Sequence, residues 1–116
     1  MQRQAFFRHM AEKYGVEPDY PWRKYPDYAV FRHANRKWFC LLMNVPAAKL
    51  GLAGEACLQV VNLKARPDII GSLRTMPGVL PAYHMNKEHW ISVLLAGGLS
   101  DEAILDLVDE SHALSR

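Results

Sequence analysis

The sequence predicts an α+β fold, a two-layer sandwich in which an antiparallel sheet carries the amino-terminal and carboxy-terminal helices on one face. Three observations lead there. Apolar residues recur at helical spacing at both ends of the chain, and runs of strand-forming residues with short polar turns fill the middle. The alternating strand–helix pattern of parallel sheets is missing. The 116 residues fit one domain, 1–116, with no repeat or linker. A composition 50% hydrophobic and 22% charged excludes collagen-like, low-complexity and wholly disordered chains.

Phe6, Met10 and Tyr14 stand at i, i+4 and i+8, with Phe7 and Ala11 beside them, and Gly15 closes this first helix. Pro18, Pro21 and Pro26 then interrupt regular structure, so Trp22-Arg23-Lys24-Tyr25 reads as an extended lead-in to the sheet. Residues 28–33 and 37–43 form a hairpin around Ala34-Asn35-Arg36, with Asn35 suited to a left-handed turn. A small-residue stretch, 46–54, leads to a third strand over 57–64. Pro67 opens a short helix with Ile69, Ile70, Leu73 and Met76 on its stripe, stopped by Pro77-Gly78. Tyr83-His84-Met85, a turn at Asn86-Lys87, and 89–95 read as a second hairpin. After Gly97-Gly98, Ser100 caps a closing helix with Asp101 and Glu102 in its first turn and Ile104, Leu107, Val108, Ser111 and Leu114 inward.

The longest nearly apolar stretch, 91–99, is far short of the ~20 residues that span a bilayer, and the amino end lacks the apolar block of a secretory signal. Cys40 and Cys57 both lie in apolar stretches, as small core residues do in a reducing compartment. A cytoplasmic monomer with no membrane contact is the expectation.

Charge is uneven. Residues 1–99 hold thirteen Lys/Arg against seven Asp/Glu, whereas 100–116 hold five acidic residues against Arg116. A basic body permits a face for a polyanion; the acidic tail equally fits the solvated side of a helix.

Catalytic chemistry finds no footing. The five histidines include no i, i+4 pair, and there is no C-x-x-C, so no metal site is expected; imidazoles at His84 and His89 read as satisfied or exposed. Asp109, Ser111 and His112 are neighbours on one helix and point in different directions. The glycines of 50–55 lack the Lys-Ser/Thr of a phosphate loop. No cofactor, catalytic residue or enzymatic activity is expected.

Three segments together carry a resemblance: Tyr20-Pro21-Trp22; Arg36-Lys37-Trp38-Phe39-Cys40-Leu41; and Pro77-Gly78-Val79 leading to Tyr83-His84-Met85-Asn86-Lys87-Glu88-His89-Trp90-Ile91-Ser92-Val93. In this order, continued into the closing helix, the chain resembles the MmcQ/YjbR family over nearly its whole length. The resemblance implies a CyaY-like, frataxin-type sandwich and a DNA-binding role with a double-wing arrangement of hairpins. The acidic first helix that frataxins associate with iron has no counterpart, since Arg3, Arg8 and Lys13 stand there against Glu12. The chain departs from the family pattern at Arg36, where Gly is expected, and at Ser111-His112, where Ser-Tyr is usual.

On this reading Arg32, Arg36 and Lys37 at the first hairpin tip and Lys87 at the second present cations to phosphates. Arg23 and Lys24 add a basic segment interleaved with Trp22 and Tyr25. Trp22, His84, Asn86, His89 and Trp90 form the family-motif site, although aromatic rings of this kind also serve as core and Asn86 also serves simply to set a turn. A rival use of the same sandwich is a protein-interaction or small-ligand module on an aromatic patch around Trp22, Tyr25 and Tyr83.

Overall fold

The computed structural model describes all of residues 1–116. In chain order the elements are α1 (Arg3–Tyr14), β1 (Ala29–Arg32), β2 (Trp38–Pro46), a 3-10 turn (Ala47–Leu50), β3 (Cys57–Lys64), α2 (Pro67–Leu73), β4 (Val79–Pro81), β5 (Trp90–Leu94) and α3 (Asp101–Leu114). The five strands form one antiparallel sheet in the order β1-β2-β3-β5-β4. The expected α+β sandwich is therefore present.

Alternation along the strands sorts the side chains. Phe31, Leu42, Val61, Leu63, Ile91 and Val93 face the helices and pack with Phe6 and Met10 of α1 and Ile104 and Val108 of α3 in the main core. Each such fully buried side chain contributes about 1.5–3 kcal/mol. At the β1–β2 end the register slips between Phe31, which faces Cys40, and Arg32, which faces Trp38. This bulge leaves Phe39 unpaired and sends its ring into the main core, while its neighbour Trp38 packs on the opposite face.

Both helical termini follow their sequence signals. Gly15 takes the left-handed conformation after α1, and the Ser100 hydroxyl accepts a hydrogen bond from Ala103 N at 3.1 Å. The one hydroxyl on the inner stripe of α3 ties the helix to the sheet. Ser111 Oγ donates to the Phe39 carbonyl of β2 at 2.6 Å and accepts from Lys64 N of β3 at 2.8 Å.

Five local expectations need correction. Residues 83–85 are not a strand; β4 is Val79–Pro81, because the Tyr83 main chain bonds to side chains of the sheet and His84 takes φ +57. Trp22–Tyr25 is a turn closed by Tyr25 N on the Trp22 carbonyl, and the edge of β1 is met instead by Asp19. The left-handed residue of the first hairpin is Arg36, φ +74, whereas the Asn35 side chain accepts from Lys37 N. Cys57 opens β3 and is exposed, so only Cys40 is a core thiol, its pKa pushed up by burial. Finally, α2 stops at Leu73, because Thr75 and Met76 bond three residues back in tight turns.

Candidate functional site

The sheet face away from the helices is not simply solvated. Val30, Leu41, Met43, Val45 and Val60 form a second, smaller core there, roofed at its edges by two loops, 15–28 and 82–89. The second loop is fastened by a polar pair that faces across β3 and β5. Ser92 Oγ donates to Asn62 Oδ1, Asn62 Nδ2 donates to the Tyr83 carbonyl at 2.8 Å, and Tyr83 N donates to Ser92 Oγ at 2.8 Å. Asn62 and Ser92 are fully buried, so satisfying them fixes Tyr83 in one place. Farther along, Asn86 Oδ1 accepts from Glu88 N at 2.7 Å and its carbonyl accepts from Trp90 N at 3.0 Å. Asn86 thus shapes the loop into β5.

Between the two loops lies an apolar hollow of about 260 Å³. Trp38, Leu41 and Met43 of β2 contribute from the sheet, Trp22, Tyr25 and Tyr28 from the first loop, and His84 and Met85 from the second. The rings form a continuous series. Tyr25 stacks on Tyr28 at 4.6 Å, Trp22 meets Tyr28 edge-on at 6.1 Å and Trp38 edge-on at 5.6 Å, and the Arg32 guanidinium lies 5.4 Å from the Trp38 ring. Burial, with the nearby Tyr83 and Tyr25 hydroxyls, raises the Tyr28 pKa and keeps it neutral. A second hollow, of about 330 Å³, shares His84 with the first and is lined by Lys49, Leu50, Tyr83 and Lys87 among others.

The cations singled out in the sequence divide into two groups. Arg32 Nε sits 2.7 Å from Asp19 Oδ2, Arg36 reaches the same carboxylate at 3.6 Å, and Lys37 Nζ lies 3.5 Å from the Arg116 carbonyl. Arg23, Lys24 and Lys87 are exposed and in no ion pair, as is Lys49, which carries no motif in the sequence. Because β1 ends and β2 starts where β4 ends and β5 starts, both hairpin connections leave the same end of the sheet. At ~4.8 Å per strand their centres are about 14 Å apart. Trp90 is half-buried and His89 exposed, and neither lines the aromatic hollow.

A different polar cluster closes the helix side. His112 stacks on Tyr14 and lies 4.4 Å from the His33 ring, and His33 Nε2 is 2.9 Å from Ser115 Oγ. Tyr14 donates to Asp109, whose other oxygen is 2.6 Å from Lys13 Nζ. Burial raises the Tyr14 pKa, and the Asp109 bond adds to the rise. Burial works against the Asp109 charge, but Lys13 and Tyr14 together hold its carboxyl below the usual range. No three His, Cys, Asp or Glu side chains are grouped so as to hold a metal ion.

The sequence model of the YjbR family matches residues 11–114. The chain belongs to the YjbR family. The YyaQ protein of Bacillus subtilis is 46% identical over 117 residues, covering 100% of this chain and 99% of that one. The YjbR protein of Escherichia coli is 43% identical over 53 residues, 45% of either chain. A crystal structure of a Pseudomonas syringae protein superposes with a TM-score of 0.98 at 52% identity, covering both chains completely. A Deinococcus radiodurans protein shares the fold at TM-score 0.72 and 21% identity, covering 98% of this chain and 78% of that one.

Within this YjbR-family chain, the departure at Arg36 sits at a left-handed residue, the conformation glycine adopts without cost. At the other departure, His112 supplies a ring that stacks on Tyr14. The motif 83–90 divides by role: Tyr83 and Asn86 build the loop, while His84 and Lys87 line the hollows.

Proposed function

We propose that this YjbR-family protein is a non-enzymatic DNA-binding protein that holds its ligand across the outer sheet face. The observation that carries this reading is the division of the cations. Two separate loops, 15–28 and 82–89, border one aromatic hollow, and each brings exposed Arg or Lys side chains free of any ion pair. Cations of this kind release counterions when they meet phosphates, and the aromatic ground between them suits bases. Arg32, half-buried and 2.7 Å from Asp19, has less to gain from phosphate, while Arg36 and Lys37 are exposed with long, weak contacts but line neither hollow. Trp22, Tyr25 and Tyr28 from the one loop and His84 and Met85 from the other line the same hollow, which supports a contact made by both loops at once.

The test is charge reversal. Replacing Arg23, Lys24 and Lys87 together by Glu weakens DNA binding at low salt by at least about tenfold, while Arg36→Glu with Lys37→Glu weakens it by less than about threefold. Melting temperatures of both variants stay near that of the parent, because the replaced side chains are exposed. Unchanged affinity in the triple variant removes the outer face as the DNA site.

A further inference from the structure

Within the proposed DNA-binding reading, on which this inference rests, the two adjoining hollows differ in chemistry. One is walled by rings and apolar side chains, with the imidazole of His84 among them. The other presents Lys49 and Lys87. His84 belongs to both, and its left-handed backbone, φ +57, is a conformation a non-glycine residue adopts at a cost of about 1 kcal/mol or more. That turn sets an imidazole at the seam between an apolar and a cationic space.

We propose that the aromatic hollow receives an unstacked nucleobase and the Lys49/Lys87 hollow its adjoining phosphate, so that the preferred ligand is single-stranded nucleic acid. The aromatic series has an open end: Tyr25 stacks on Tyr28 yet remains 45% exposed, one of two large hydrophobic residues left so open. Such a ring pair offers a surface on which a further planar group stacks without regard to its sequence. The other large exposed ring, Tyr20, lies on the same loop. A purely apolar ligand would gain nothing from the four unpaired cations nearby, whereas a base joined to phosphate uses both surfaces. In a duplex the bases are stacked inward and their faces are inaccessible, so the aromatic hollow has no ring to receive. The imidazole of His84 can donate or accept a hydrogen bond at the base edge.

The experiment compares three labelled probes at low salt by fluorescence anisotropy. They are an oligothymidylate of about 12 nucleotides, a duplex of equal length, and an abasic oligonucleotide with the same phosphates. Oligothymidylate is expected to bind at least about tenfold more tightly than either of the others and to quench tryptophan fluorescence through Trp22 and Trp38. Tyr25→Ala lowers oligothymidylate affinity about tenfold and leaves duplex affinity within about twofold, as the loss of one stacking surface requires. His84→Gly, which relieves the left-handed strain, serves as a second variant that folds and lowers the same affinity. Equal binding of the abasic probe, or an unchanged affinity in both variants, overturns the base hollow. Duplex binding that depends on Arg23, Lys24 and Lys87, together with weaker single-strand binding, also overturns it and leaves the DNA reading standing. Absence of binding to all three probes removes both.

Discussion

His112 stacks face to face on Tyr14, with ring centroids 4.4 Å apart and planes 17° from parallel, and so joins the last turn of α3 to the last turn of α1. The pair lies beside His33, and the surroundings disfavour charge on both imidazoles. Burial lowers the His33 pKa below 6.5, with the Arg116 and Lys37 charges in the same direction and the main-chain hydrogen bond to His112 opposed. Burial likewise lowers that of His112, assisted by His33, Arg116 and Lys13 and opposed by Asp109. The unfolded chain therefore takes up these protons first as pH falls. Stability is complete above about pH 7, drops as pH falls through 6.5, and levels off once the folded imidazoles are protonated. Melting curves between pH 8 and pH 5 check this, and His112→Tyr, which keeps the stacked ring without its proton, flattens the slope. A melting temperature unchanged over that range contradicts it.

Asp109 adds a second, lower step. Its folded carboxyl lies below 3.8 because of Lys13 and Tyr14, so its contribution is present above that value and lost as pH falls through the folded pKa. Asp109→Asn removes the extra loss of stability below about pH 4 and, because the Asp109 charge holds the His112 pKa up, deepens the loss that begins near pH 6.5.

Arg36→Gly is expected to stabilise the protein by about 0.5–1 kcal/mol. The left-handed backbone costs an L-residue about 1–2 kcal/mol, of which the added freedom of glycine in the unfolded chain takes back part. The 3.6 Å contact with Asp19 is lost, but the Arg36 side chain is 71% exposed and that pair contributes little. Urea denaturation measures the gain; a loss of stability shows that the pair outweighs the backbone.

Ser92→Ala removes the donor to Asn62 and the acceptor of Tyr83 N in a fully buried site. The expected cost is about 1–3 kcal/mol. Amide exchange separates this from a general loss of stability: Tyr83 and its neighbours in 82–89 lose protection first, because their main chain depends on that pair. Uniform loss across the sheet means the loop is held by other contacts.

Gly78 has φ +74, and a Cβ there would come within 2.8 Å of the Gly97 carbonyl oxygen. Leu94 N bonds the Gly78 carbonyl at 2.9 Å, so the two turns cannot separate freely. Gly78→Ala lowers stability by more than about 1 kcal/mol, read from denaturant midpoints at constant slope.

The helices were legible because their signals are local: a stripe such as Phe6, Met10 and Tyr14, a glycine after it, a serine before the last one. Strand-like composition misled at Tyr83-His84-Met85, where the decisive partners, Asn62 and Ser92, are 21 and 9 residues from Tyr83. A faint sign was there: a lone Asn in the apolar run of β3 and a lone Ser in β5 need partners if buried. The motif residues His84 and Lys87 do reach the site, and Trp22 and Tyr25 do share one hollow. Which cations are free was not legible, since it depends on Asp19 folding back onto Arg32 and Arg36. Lys49 escaped notice because only the packing of the 3-10 turn brings it beside Lys87.

The most direct test of the DNA-binding reading is the salt dependence of affinity for a labelled DNA with the unaltered protein. Contacts to about three phosphates predict saturable binding at about 50 mM salt and a dissociation constant weaker at about 200 mM by about 40-fold for a duplex and about 20-fold for a single strand. No saturable binding at the lower concentration, or a constant that stays within about twofold between the two, contradicts an electrostatic nucleic-acid site on this face.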